Sequence, residues 1–263
     1  MPYASNQGVQ IHYKVEGEGA PLVLLHGFGV SGDAWRTGGH VAALRNEFQV
    51  ICLDARGHGR SDKPHLPEAY RLPERVRDVT AVLDAVGVET AHFLGFSLGG
   101  VTAFGLCKYA PSRFLSVIAL GAQPYSEEFP EDFEEWGQKY INCGVEAAIE
   151  RETRESGAVS EKRKEELESR DWKALGATLV ATRRIQGLSE GLLQGRIPYL
   201  LICGTEDQDH DLARRSANEF PNVSFVPLEG LDHHESRSRL DVLIPIVKNF
   251  FGSSPVDTGT QAR

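Results

Sequence analysis

The chain contains no CxxC pair. Its four cysteines, at positions 52, 107, 143 and 203, are too scattered for a zinc knuckle or a dithiol redox centre. Cys52, Cys107 and Cys203 lie in apolar runs, where a free thiol behaves as a small hydrophobe. Positive charge is scarce: 28 Lys and Arg against 37 Asp and Glu leave a net charge of −9. A body of that sign repels polyanions, so nucleic acid is not an expected partner, nor is an anionic membrane surface. No apolar run approaches the roughly 18 residues of a membrane span. The opening MPYASNQG lacks the basic and apolar segments of a secretory leader. The expectation is a cytoplasmic protein. His40, His58, His65, His92 and His210 are not spaced as a metal set. Gly27-Phe28-Gly29 lacks the continuation of a dinucleotide fingerprint. No metal and no cofactor is expected.

Present instead is a repeated rhythm. The 263 residues are 41% apolar, and 27 glycines and 13 prolines sit mostly between the apolar runs, as in an ordered fold rich in tight turns. Val9–Val15 alternates and reads as a half-exposed strand near a sheet edge. Five continuous apolar runs follow, at 21–25, 50–53, 91–94, 114–120 and 199–203, each ending in a polar or glycine turn; Val223–Val226 comes last. Runs without alternation suit strands covered on both faces. Helical patterns at 35–44, 72–86, 98–109 and 212–219 separate them, with Val76, Val79, Leu83 and Val86 on one face and Gly87 as a stop. Strands alternating with helices predict an α/β fold with a mostly parallel central sheet flanked by helices.

The rhythm breaks after residue 121. The sequence predicts a core of residues 1–121 and 196–250, a helical cap over 122–195, and a flexible tail over 251–263. Twelve of the twenty residues from Arg151 to Arg170 are charged. Phe129, Phe133, Trp136 and Tyr140 recur at helical spacing and form one stripe, which glues the insertion to the core, lines a substrate pocket, or does both.

Gly95-Phe96-Ser97-Leu98-Gly99 matches G-x-S-x-G between an apolar strand and a helix, the context in which that motif presents a nucleophilic serine. A sharp strand-to-helix turn strains the serine backbone and demands tiny neighbours, here Gly95 and Gly99. In return the hydroxyl stands clear of the sheet, at a helix start whose N–H groups are unpaired and favour negative charge.

On these residues the chain resembles the α/β-hydrolase superfamily, particularly its small capped esterases, C–C bond hydrolases and cofactor-free haloperoxidases. The likeness runs from about Tyr3 to Phe250. It rests on Leu25-His26-Gly27-Phe28-Gly29, the run from Asp54 to Ser61, the serine turn, Gly204-Thr205-Glu206-Asp207, and Gly230-Leu231-Asp232-His233. The resemblance implies an α/β-hydrolase fold with Ser97 as nucleophile, His233 as base and Asp207 as its acid partner. His234 competes with His233 for that role, and Glu206 and Asp209 compete locally with Asp207. The backbone N–H groups of Phe28 and Leu98 are the implied oxyanion hole, with His26 as a structural hydrogen-bonding group. In the 54–61 turn, Asp54 and Arg56 are expected to exchange hydrogen bonds.

The chemistry that follows is cleavage of a carboxylic ester through an acyl-enzyme. A C–C bond hydrolase, a lactone hydrolase and a perhydrolase are alternatives on the same residues, and a non-catalytic, receptor-like ligand binder is an alternative of another class. Ser97 argues against the dehalogenase and epoxide-hydrolase branches, which use Asp as nucleophile. With Trp35 behind the oxyanion loop and the stripe of Phe129, Phe133, Trp136 and Tyr140, the expected partner is a small or medium hydrophobic molecule. The oligomeric state is not legible.

Overall fold

The computed structural model describes residues 2–195 and 197–253. The tail expected over 251–263 therefore lies mostly outside the described residues. Its first residue does not: Phe251 is buried in the last helix, Leu240–Gly252.

Eight strands form one sheet: β1 (Tyr3–Asn6), β2 (Val9–Glu16), β3 (Ala20–Leu25), β4 (Phe48–Leu53), β5 (Ala91–Phe96), β6 (Phe114–Leu120), β7 (Tyr199–Gly204) and β8 (Val223–Leu228). Their order is β1-β2-β4-β3-β5-β6-β7-β8. β1 pairs antiparallel with β2, and β2 antiparallel with β4; every other pairing is parallel. The edge strand β1 is too short for a periodic signal, so only its partner was legible in the sequence.

The continuous apolar runs follow from two-sided burial. Val23 and Leu25, Phe93, Val117 and Ala119, and Leu201 and Cys203 point into one core layer. Leu22 and Leu24, Leu94, Ile118 and Leu120, and Leu200 and Ile202 point into the other. Helices Leu72–Val86 and Leu98–Tyr109 cover the first face; Leu240–Gly252 and two short helices, Asp33–Thr37 and His40–Leu44, cover the second. The sequence predicts one helix over 35–44, but Gly38 and Gly39 divide it, with Gly39 at φ +84°.

Between β6 and β7 the chain builds a helical insertion. Its main helices are Asp132–Cys143, Val145–Ser156, Glu161–Glu168 and Trp172–Arg183. Trp136 and Tyr140 pack with Trp172, Leu167, Leu175 and Leu179 into a core belonging to the insertion itself. Tyr140 and Trp172 rings lie 4.9 Å apart. Phe129 is not on that helix. Pro130 holds it extended, at φ −65° and ψ 142°, and its side chain joins the main core. Tyr70 fits against Ala174, Ala177 and Ala181. Beside it, buried Arg75 donates to the Tyr70 carbonyl at 2.8 Å and to Thr182 Oγ1 at 2.7 Å. Core and insertion are thus tied through both an apolar and a polar contact. Among the described residues, no helix is long and apolar enough to cross a membrane.

Candidate active site

Ser97 ends β5 and precedes helix Leu98–Tyr109, with φ +53° and ψ −111°. Few side chains tolerate that conformation, and the cost of holding it is about 1–3 kcal/mol. The neighbouring glycines explain how the bend closes. A Cβ on Gly95 would lie 2.2 Å from the Gly99 carbonyl oxygen, and one on Gly99 would lie 2.3 Å from the Leu25 carbonyl oxygen. Either contact would force the turn open.

Asp207 follows β7 and is buried; His233 opens helix His233–Ser238. His233 Nδ1 lies 2.7 Å from Asp207 Oδ2. The other Asp207 oxygen accepts from the Asp209 N–H at 3.0 Å. Asp232 fixes the start of the His233 helix: its carboxylate accepts from the N–H groups of His234 and Glu235, both at 2.8 Å, and Glu235 returns the bond to the Asp232 N–H at 3.1 Å. The acidic and histidine run 232–235 is thereby a capping box. Among the described residues, no group of three or more His, Cys, Asp or Glu side chains is arranged to hold a metal.

Burial opposes charging the His233 imidazole. The hydrogen bond and charge of Asp207, with help from Asp209 and Asp232, outweigh that and leave its pKa raised above 6.5. Asp207 is likewise resisted by burial, yet His233 and the Asp209 N–H hold its carboxyl below the usual carboxylate range. Asp209 is different. Burial and the Asp207 charge push it up to about 6, and it makes no bond to His233. Glu206 and His234 are exposed.

Ser97 and His233 line one cavity of about 480 Å³ beneath the insertion. The Phe96 ring, next to the serine, lies 4.9 Å from the His233 ring. Gly121 makes room for this meeting. It sits at φ +59°, where a Cβ would come within 3.1 Å of the His233 ring and 3.3 Å of Asp207 Oδ2. The sequence marks Gly121 only as the end of a strand; its place between acid and histidine depends on strand order.

Phe28 and Leu98 also border the cavity. Their backbone N–H groups have no acceptor among the described residues. The Phe28 loop abuts the serine, since a Cβ on Gly27 would lie 3.3 Å from the Ser97 Cβ. His26 braces that loop as a structural group: Nδ1 faces the Gly27 carbonyl at 2.7 Å, and Nε2 accepts from the Ala55 N–H at 3.0 Å. The 54–61 turn is held otherwise than expected. Asp54 receives the Gly32 N–H at 2.7 Å and the Arg60 N–H at 2.8 Å, while Arg56 turns away to pair with Asp78. Arg56 and Asp78 are buried together, which makes each the other's counter-ion.

Of the expected pocket aromatics, Phe129, Phe133 and Tyr140 border the cavity. Trp35 and Trp136 do not. Trp35 is fully buried beneath the sheet, edge-on to His40 at 4.7 Å, because the helix that carries it packs on the opposite face. Trp136 points into the insertion's own core. The sequence also conceals a set of charges: Arg151, Glu152, Glu155, Arg163, Arg170 and Arg237 all border the cavity. Within a stretch so dense in charge, nothing separates inward residues from solvated ones until the helices are packed.

The family described as "alpha/beta hydrolase fold" matches residues 20–171, more than half of the chain. This chain belongs to the α/β-hydrolase family. Among curated relatives, 3-oxoadipate enol-lactonase 1 of Acinetobacter baylyi is 37% identical over 45% of this chain and 43% of its own length. Epoxide hydrolase B of Mycobacterium tuberculosis is 31% identical over 56% of this chain and 49% of its own. The matches thus span about half the length of those relatives. A solved N-acyl homoserine lactone degrading enzyme is 27% identical, with a TM-score of 0.74 over 95% of this chain and 100% of that one.

Proposed function

We propose that this α/β-hydrolase is a serine hydrolase that opens a small or medium carboxylic ester through an acyl-enzyme. The reading is carried by one observation: the 2.7 Å contact between His233 Nδ1 and Asp207 stands at the cavity that Ser97 borders. Asp207 holds the imidazole with its Nε2 free to accept a proton. Ser97 Oγ attacks the substrate carbonyl and gives its proton to His233. The unengaged N–H groups of Phe28 and Leu98 receive the oxyanion. The tetrahedral intermediate collapses, and His233 returns the proton to the departing alcohol. The same imidazole then takes a proton from water, whose oxygen attacks the acyl carbonyl; as the second tetrahedral intermediate collapses, His233 returns that proton to Ser97 Oγ and the acid is freed.

A lactone is the second reading, since ring opening uses the same steps with the alcohol still tethered. The similarity to the homoserine lactone degrading enzyme favours it. Ser97 stands where the epoxide-hydrolase branch carries an aspartate, so an ester-type bond is favoured over an oxirane.

The test is covalent labelling by a fluorophosphonate together with turnover of p-nitrophenyl esters. Both are expected in the wild-type chain and both are lost in Ser97→Ala. Turnover that survives Ser97→Ala overturns the proposal.

A further inference from the structure

The charged residues of the cavity are not all paired. Arg151 meets Glu155 at 2.7 Å. Arg163 takes both oxygens of Glu152, at 2.7 and 3.0 Å, and reaches Glu166 at 2.9 Å. Both glutamates on the wall are therefore engaged. The remaining carboxyl, Asp209, belongs to the Asp207 loop. Arg237 has no carboxylate at ion-pair distance among the described residues, and its Nε is buried without a hydrogen-bond partner.

Arg237 lies four residues after His233 on the same helix, so both project from one face. Both border the cavity. The guanidinium carbon rests 5.4 Å from the centre of the Phe96 ring, the ring that also meets His233. Arg237 is half-buried and its Nε is fully so; holding a guanidinium partly out of water without a counter-ion is costly, and its planar fork matches a carboxylate. On a chain of net charge −9, a cation without a carboxylate partner on a cavity wall is chemically suited to an anion.

We propose that Arg237 anchors a carboxylate borne by the substrate, so that the ester or lactone opened at Ser97 has an apolar body ending in a free carboxylate. The proposal rests on the serine-hydrolase reading. Phe129, Phe133 and Leu179 supply the apolar wall for the body of the molecule. Arg170 is the competing anchor. It also has no carboxylate at ion-pair distance among the described residues, but its guanidinium lies over Trp172, at 5.9 Å, on the insertion.

The experiment compares p-nitrophenyl octanoate with the p-nitrophenyl half-ester of suberic acid, which differ in whether the far end is methyl or carboxylate. The expected result is a higher kcat/KM for the half-ester. That preference falls about tenfold or more in Arg237→Gln, the worth of a charge-assisted hydrogen bond, and recovers partly in Arg237→Lys. Suberate, but not suberamide, inhibits octanoate-ester turnover by the wild-type chain, a readout that needs no variant to fold. Octanoate-ester turnover that depends on Ser97, with no half-ester preference and no inhibition by suberate, overturns the anchor and leaves the hydrolase reading standing. Collapse of the preference in Arg170→Gln and not in Arg237→Gln overturns the assignment to Arg237. Absence of both turnover and fluorophosphonate labelling fails the hydrolase reading instead. Calorimetric binding of suberate to wild type and Arg237→Gln then decides the anchor, which falls if binding is absent or equal.

Discussion

His233 Nδ1 and Asp207 Oδ2 stand 2.7 Å apart although the two residues are 26 positions apart in the chain. Asp207 follows β7 and the histidine follows β8, and parallel pairing brings the ends of those strands together. Asp207→Asn is expected to lower kcat by about ten-thousandfold, because the amide stabilises the wrong tautomer. The proposed base works unprotonated, so activity falls as pH drops through its pKa. With that pKa raised, the acid limb of kcat/KM is expected above pH 6.5. Asp209→Asn removes one of the charges that raises it and moves the limb toward lower pH. A pH–rate profile of both variants checks the pair.

Gly121→Ala is expected to damage activity and stability together. The methyl would press on both the His233 ring and Asp207, and φ +59° adds about 1–2 kcal/mol of backbone strain. Urea denaturation measures the second effect and kcat the first; unchanged kcat would show that the site absorbs the methyl.

Asp232→Ala removes the cap from the helix that begins with His233. Loss of the cap is expected to cost about 0.5–2 kcal/mol. Because His233 is the first residue of that helix, the loss is also expected to lower kcat more than it raises KM. Denaturation and steady-state kinetics on a soluble ester distinguish the effects.

Acid is expected to weaken the fold from about pH 6.5 downward. Burial lowers His26, brings His40 and His92 to about 4 and His58 to about 3. All four are buried, and His40, His58 and His92 each leave a ring nitrogen without a partner among the described residues. Below about pH 6.5 the unfolded chain binds protons that the folded chain refuses, so stability falls by up to about 1.4 kcal/mol per pH unit for each such histidine. His233 has the opposite sign: its raised pKa adds stability that is complete below 6.5 and is lost as pH rises through the folded value. Between pH 6.5 and about 4 the four buried rings therefore dominate. Urea midpoints measured across that window are expected to drop steeply; a flat response would mean that these rings are protonated in the folded chain.

The sheet was readable because two-sided burial leaves unbroken apolar runs, and the serine turn because its glycines are required by contacts local in sequence. Residues whose role depends on packing were not. Trp35 follows the Phe28 loop in sequence, but its helix lies on the far face of the sheet. Phe129 continues a helical spacing that Pro130 interrupts. Arg237 repeats His233 by one turn, yet a sequence does not say that its neighbours leave it without a carboxylate. The Asp54–Arg56 pairing failed because Asp78, on helix Leu72–Val86, offers Arg56 a buried counter-ion.

The insertion leaves the sheet after β6 and rejoins it at β7, and these two strands are direct parallel neighbours. Because the strands run parallel, the insertion departs from the C-terminal edge of the sheet, where Ser97 stands, and must cross back to the opposite edge before β7 begins; only the stretch before that return can diverge or lengthen without disturbing strand register. What ties the insertion to the scaffold is broad: Phe129, Ile185, Leu188 and Leu192 enter the main core, small residues pack over Tyr70, and Thr178 and Thr182 accept from Arg75. Exchange of the lid between homologues therefore replaces one wall of the cavity, Phe133, Tyr140 and Arg170 among it, while Ser97, His233 and Arg237 stay with the recipient.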